Sequence, residues 1–133
     1  MKKLSLLLAA AASSMLLLGC GATVITNVPQ QQASAPSASA MRNAIRTAAV
    51  DRRFRIVSDK PGVMRLAYPN SAKAMKFEAI FDVKYSAEGF AVEYVSSRGL
   101  DEKPCGENAV CGHRNINKWM RTLSGDIRTA LAQ

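Results

Sequence analysis

Residues 75–94 read MKFEAIFDVKYSAEGFAVEY, and this stretch decides the fold class. Apolar residues fill every second position of its first half: Met75, Phe77, Ala79, Phe81, Val83 and Tyr85. The side chains between them are mostly charged, which is the pattern of a half-buried β-strand. Residues 86–89 form a short hairpin connection, after which Phe90, Val92 and Tyr94 continue the alternation. The stretch predicts two antiparallel strands with one apolar face that another layer must cover.

Two further strands precede this pair. Residues 54–57 are a short strand candidate, and Met64, Leu66 and Tyr68 alternate along another. Between them Lys60-Pro61-Gly62-Val63 is a turn signal, because proline presets φ at the second position and glycine supplies a positive φ at the third. The sequence therefore predicts a four-stranded antiparallel meander.

Helical periodicity flanks the meander on both sides. Met41, Ile45, Ala48 and Ala49 predict a helix over residues 41–51. The C-terminal segment carries a longer apolar stripe: Ile116, Trp119, Met120, Leu123, Ile127, Ala130 and Leu131. Gly125 lies within that helix, where we expect it to allow a close approach to the sheet. The expected fold is α+β in the order α-β-β-β-β-α, with two helices packed on one face of the meander.

The N-terminal segment predicts export. Lys2 and Lys3 precede an apolar run of about fifteen residues, shorter than the roughly 20 that span a bilayer, so the segment has the pattern of a secretory signal peptide. Residues 17–20, Leu-Leu-Gly-Cys, resemble the lipobox of bacterial lipoproteins. That resemblance implies cleavage before Cys20 and acylation of its thiol and its new amino group, giving an anchor of several acyl chains. Gly21 stands where an Asp would resemble the inner-membrane retention signal, so the expected location is the outer membrane, with the domain facing the periplasm or exposed at the surface.

The chain then divides into three predicted parts. Residues 1–19 are the cleaved signal peptide, residues 20–40 the lipidated Cys20 with a flexible tether, and residues 41–133 a small periplasmic α+β domain. The tether is predicted because its uncharged Ser, Ala, Gln and Pro residues bury too little apolar surface to offset the entropy of ordering.

Cysteine usage agrees with an exported protein. With Cys20 assigned to lipid, Cys105 and Cys111 remain, and an oxidising compartment predicts a disulfide between them. Two alternatives stay open. Cys105, Cys111 and His113 could together bind zinc or copper, although structural zinc cysteines are usually two to four residues apart. The second alternative is that Cys105 and Cys111 are a redox-active pair, although the cysteines of such pairs are usually separated by two residues. We expect neither a metal nor another cofactor.

The sequence contains no catalytic motif that we can identify, and we expect a protein that is not an enzyme. Any mechanism that needs a histidine must use His113, the only one in the chain, which is more simply a surface or helix-capping residue. Glu78, Asp82 and Glu93 lie on the polar face of the predicted sheet and could carry hydrolase chemistry. Cross-strand ion pairs explain these carboxylates more simply, so an envelope hydrolase is the least favoured function.

Basic residues are the most informative feature of the predicted domain. The 133 residues hold 18 Lys and Arg against 10 Asp and Glu, a formal net charge of +8, and removal of residues 1–19 lowers it only by two. Arginines suited to phosphate or carboxylate recognition lie on both predicted helices. The expected binding surface comprises Arg42, Arg46, Arg114, Lys118 and Arg121. The expected compartment excludes nucleic acid as a ligand. The partner is then an envelope protein or, alternatively, an anionic glycan or lipid headgroup. A third alternative is a solvated helix surface that binds nothing.

The domain resembles a group of small proteobacterial outer-membrane lipoproteins. The residues that carry the resemblance are Lys60-Pro61-Gly62, Tyr94-Val95-Ser96-Ser97 and the segment 115–123, NINKWMRTL. It implies a fold and a location but no activity. The function expected from the sequence is that of an outer-membrane-anchored, non-enzymatic binding module of the cell envelope.

Overall fold

A computed structural model of the chain describes residues 22–133. The predicted signal peptide and the predicted lipid anchor at Cys20 lie outside the described residues. The elements, in chain order, are β1 Thr23–Val24, β2 Val28–Gln32, α1 Ala38–Asp51, β3 Arg55–Lys60, β4 Val63–Tyr68, a 3₁₀ turn Ala72–Met75, β5 Glu78–Ser86, β6 Gly89–Arg98, β7 Lys103–Gly106, β8 Ala109–Gly112 and α2 Asn115–Leu131.

The predicted α+β class is confirmed. The four predicted strands form the consecutive antiparallel run β3 to β6, within a five-stranded sheet of order β2-β6-β5-β4-β3. The turn between β3 and β4 places Gly62 at φ +83°, as the Pro-Gly pair predicts. In β5 the alternation holds where the strand is paired, since Ala79, Phe81 and Val83 are fully buried. Met75 is an exception, because it ends the 3₁₀ turn before β5 and is 85% exposed.

Both helices pack on each other and on the five-stranded sheet. Ser37 caps α1, its hydroxyl accepting the backbone N–H of Ala40 at 3.0 Å. The buried faces of α1 and α2 meet the sheet in one apolar core, whose largest members are Phe54, Phe81, Phe90, Met41, Ile45, Met64, Leu66, Ile116, Met120, Leu123, Ile127 and Val83. Beyond this core, Trp119 stacks on Phe77, with ring centroids 5.9 Å apart.

The predicted flexible tether is wrong for residues 22–40. β2 pairs with β6, so the sheet has five strands and not four. β1 pairs with β8, and α1 begins at Ala38, three residues before its predicted start. Amino-acid composition reflects only the side chains. An added edge strand is held chiefly by backbone hydrogen bonds, which uncharged Gln and Pro residues do not prevent at an edge.

The predicted loop that contains the cysteines is a hairpin. β7 and β8 pair with each other and, with β1, form a second sheet of order β1-β8-β7. Cys105 and Cys111 are joined by a disulfide across this hairpin, with their Cα atoms 5.7 Å apart. The disulfide prediction is confirmed, whereas the loop around it has more regular structure than the sequence indicates.

The expected reason for Gly125 is also wrong. A Cβ added there would meet nothing within 4 Å, because the residue lies on the exposed side of α2. The close approaches occur at other glycines. A Cβ on Gly89 in β6 would lie 2.1 Å from the carbonyl oxygen of Gln31 in β2. The absence of a side chain at Gly89 therefore permits the backbones of β6 and β2 to meet.

Candidate functional site

The exposed side of α2 carries a row of cations. Arg114, Lys118, Arg121 and Arg128 follow one another at spacings of four, three and seven residues, which places them on one helix face together with Gly125. The opposite face is buried by Ile116, Met120, Leu123 and Ile127. We call the four cations the α2 stripe. At 1.5 Å per residue the stripe runs about 21 Å along the helix.

No carboxylate of residues 22–133 forms an ion pair with the α2 stripe. Arg128 donates a hydrogen bond to the side-chain Oε1 of Gln31 at 2.5 Å, which is a neutral partner. None of the four cations is therefore engaged in a direct ion pair with a carboxylate of the described residues. Uncompensated charges on one helix face create a positive potential that attracts anionic groups.

The two predicted site residues on α1 are in a different situation. Arg42 and Arg46 both reach Asp59 on β3, at 2.6 Å and 3.2 Å to its Oδ2. The hydrogen bond from Arg42 holds the pKa of the Asp59 carboxyl below its usual value, and the same bond raises the pKa of Arg42. Arg42 and Arg46 therefore have an internal partner at the β3 edge of the sheet.

The five predicted residues thus separate into two groups. Arg114, Lys118 and Arg121 lie on the helix that contacts β6 and β2, whereas Arg42 and Arg46 lie on the helix that contacts β3 and β5. The two helices also pack against each other, and what separates the two groups is that Arg42 and Arg46 have a carboxylate partner. The part of the predicted surface whose charge remains available is on α2, extended by Arg128.

The carboxylates considered for hydrolase chemistry are held in ion pairs across the sheet. Glu78 pairs with Arg55 at 2.9 Å and Glu93 with Lys84 at 3.0 Å. Asp82 accepts two hydrogen bonds from Arg65, at 2.8 Å and 3.0 Å, and these bonds raise the pKa of the Arg65 guanidinium. The prediction of cross-strand ion pairs is confirmed for all three carboxylates. The partners of Glu78 and Asp82 are arginines on β3 and β4, and not the lysines nearest to them in the sequence.

His113 stands at the start of α2. Its side-chain Nδ1 accepts the backbone N–H of Asn115 at 3.1 Å, and its carbonyl oxygen accepts the N–H of Ile116 at 3.0 Å. This is the capping arrangement expected for a residue that precedes a helix. Within residues 22–133, no three His, Cys, Asp or Glu side chains are grouped so that they could hold a metal ion. Both thiols near His113 are used in the disulfide.

Sequence reasoning missed a polar network at the end of β6. The hydroxyl of Tyr94 donates to Glu102 Oε1 and lies 2.7 Å from Ser97 Oγ. Partial burial, followed by the bond to Glu102, raises the pKa of Tyr94 above its ordinary value. The network depends on a register shift of β6 opposite Ile80 and Phe81, which places Tyr94 and Ser97 side by side. The sequence contains no signal for that shift.

No known protein family matches this chain, and no significantly similar protein was found among curated sequences or solved structures. Among the described residues, no helix is both long enough and apolar enough to cross a bilayer.

Proposed function

We propose that this protein is an outer-membrane lipoprotein, anchored through Cys20, whose domain is a non-enzymatic binding module for an acidic envelope protein. The α2 stripe is the binding surface. The signal peptide and the lipobox-like residues 17–20 support the anchor.

One observation carries the binding proposal: the arginines of α1, β3 and β4 have carboxylate partners, whereas those of α2 have none among residues 22–133. A cation that serves only stability gains from an internal partner. A cation that binds an external anion is more useful without one, because no internal ion pair must first be broken. Arginine is also suited to bidentate contact with the carboxylates of a partner.

The test is photo-crosslinking in intact bacterial cells. A crosslinking amino acid at position 118 samples the α2 stripe, and the same probe at position 84 samples the uncovered face of the sheet as a matched control. We expect a discrete protein adduct from position 118 and none from position 84. Adducts carrying lipopolysaccharide or peptidoglycan in place of protein would favour an anionic glycan or lipid ligand, and equal labelling at both positions would contradict a specific surface.

Charge reversal provides the second arm of this test. The variant Arg114→Glu/Lys118→Glu/Arg121→Glu removes the positive potential at exposed positions, so the fold should be retained while the adduct is lost. Lys60→Glu/Lys73→Glu changes exposed lysines on other elements and should leave the adduct intact. Adduct formation that survives reversal of the α2 stripe would exclude an electrostatic mode of capture.

A further inference from the structure

We propose that the end of the domain holding Ala22 rests on phospholipid headgroups, in one orientation that the anchor imposes. This inference rests on the lipidation of Cys20 proposed above. The contact surface, which we call the anchor patch, consists of Ala22, Val24, Lys103 and His113.

The distance between the anchor and the folded domain is short. Two peptide units separate Cys20 from Ala22, and two extended units span at most about 7 Å. A flexible tether of twenty residues would instead reach roughly 25 Å on average and would leave the domain free to rotate. With the bilayer about two residues away, the domain surface around Ala22 has to face it.

The point where the chain leaves the domain is fixed. In β1, Thr23 pairs with Gly112 and Val24 with Cys111. The amide of Asn117 on α2 holds the same segment, since its Nδ2 donates to the Val24 carbonyl oxygen at 2.8 Å. β1 therefore cannot swing away from β8 without breaking bonds to two elements, and the anchor direction is part of the fold.

The chemistry of the anchor patch suits a headgroup layer. Val24, Cys111 and Lys103 lie opposite one another across the small sheet and so share one face. On that face the apolar side chain of Val24 is 52% exposed, and the exposed Lys103 lies two strands away, on the other side of Cys111. Ala22, Lys103, His113 and Arg114 line one surface depression.

Two acids share that depression, Asp101 and Glu102. Glu102 accepts the hydroxyl hydrogen bond of Tyr94, but a bond from a neutral group does not compensate the charge of a carboxylate, so the orientation is imposed by the short anchor and not by the net charge of the depression. Lys103 has no ion pair in the described part of the chain. Lys103 is therefore free to contact a lipid phosphate, and the half-exposed Val24 lies on the same face of the small sheet. The short anchor supplies a high effective concentration, so even weak contacts would hold the domain in place.

Lysine acetylation footprinting of the full chain tests the orientation. The lipidated protein, purified in a neutral detergent, is placed in vesicles of phosphatidylethanolamine and phosphatidylglycerol, and each lysine is followed by mass spectrometry. We expect Lys103 to react about fivefold more slowly in vesicles than in detergent. Lys60 in the β3–β4 turn and Lys84 on the uncovered sheet face are internal controls, whose rates should not change.

A linker variant separates the orientation from simple proximity. Insertion of about ten Gly and Ser residues between Gly21 and Ala22 should restore the reactivity of Lys103, because the domain can then rotate and move away. Unchanged reactivity of Lys103 in a protein that floats with the vesicles would overturn the orientation but leave the lipid anchor in place. Absence of an acyl mass on Cys20, with no flotation, would overturn the anchor and this inference together.

Discussion

Asn117 and Thr26 lie 91 residues apart in the chain and are joined by a hydrogen bond of 2.9 Å, from the backbone N–H of Thr26 to Oδ1 of Asn117. The Nδ2 of the same amide donates to the Val24 carbonyl oxygen. Asn117 is only 9% exposed, so these bonds form in a shielded site. One side chain of α2 thereby satisfies one backbone group at the end of β1 and one in the connection between β1 and β2, and it ties the N-terminal segment to the domain.

Asn117→Ala should therefore destabilise the protein, by about 1–3 kcal/mol, because it removes two partly buried hydrogen bonds to the backbone of the N-terminal segment. The measurement is urea unfolding followed by circular dichroism, with amide hydrogen exchange at Thr26 as a local readout. Asn115→Ala is the matched control, since no hydrogen bond is formed by the Asn115 side chain within the described chain. Equal stability of the two variants would mean that the N-terminal segment is not held as the structure has it.

The hydrogen bonds of Asn117 are also an example of what the sequence could not predict. The meander was predictable because its signals are local: alternation along Phe81 and Val83, and the Pro61-Gly62 turn. The pairing of β2 with β6 is not local, and it depends on backbone groups that every residue carries. Hydropathy patterns indicate which side chains are buried, and they contain little information about an edge strand rich in Gln.

The same distinction applies to the candidate site. Helical periodicity alone places Arg114, Lys118 and Arg121 on an exposed face, and the structure agrees. The partner of Arg42 could not be predicted, because Asp59 comes from another element and meets it only after α1 packs beside β3. A charge count predicts where cations are exposed; whether they are neutralised is decided by tertiary structure.

Two glycines give opposite predictions for the same substitution. Gly125→Ala should raise the free energy of unfolding by about 1 kcal/mol, because alanine favours the helix and meets nothing within 4 Å. Gly89→Ala should lower it, because its Cβ would lie 2.1 Å from the Gln31 carbonyl oxygen and would push β2 off β6. Thermal unfolding of both variants measures the contrast. An unchanged free energy of unfolding in Gly89→Ala would contradict the pairing of β2 with β6.

The ion pairs of Asp59 predict a dependence of stability on pH. Its pKa is lowered in the folded protein by the bonds to Arg42 and Arg46, so the unfolded chain takes up a proton at a higher pH than the folded one. The stabilisation is complete above the unfolded pKa of about 4 and is lost as the pH falls through the lower folded value.

Asp59→Asn should accordingly be less stable than the native chain at about pH 7, and the difference should shrink at about pH 2.5. Urea unfolding at the two pH values measures it. Asp51→Asn is the control, because Asp51 forms no ion pair within residues 22–133, and it should not reproduce this pH dependence. If the difference in stability between Asp59→Asn and the native chain stayed constant with pH, its cause would be packing and not charge.

The disulfide should contribute to stability mainly by restricting the unfolded chain. Cys105 and Cys111 are six residues apart, and closing so short a loop is worth about 2 kcal/mol on the chain-entropy estimate. The variant Cys105→Ala/Cys111→Ala should lose about that much in urea unfolding, and a reducing agent should bring the native chain to a similar stability while leaving the variant unchanged.

Because β8 also pairs with β1, loss of the disulfide should speed amide exchange at Val24, next to the anchor. Exchange that quickens only in β7 would show that β1 holds β8 in place without help from the disulfide.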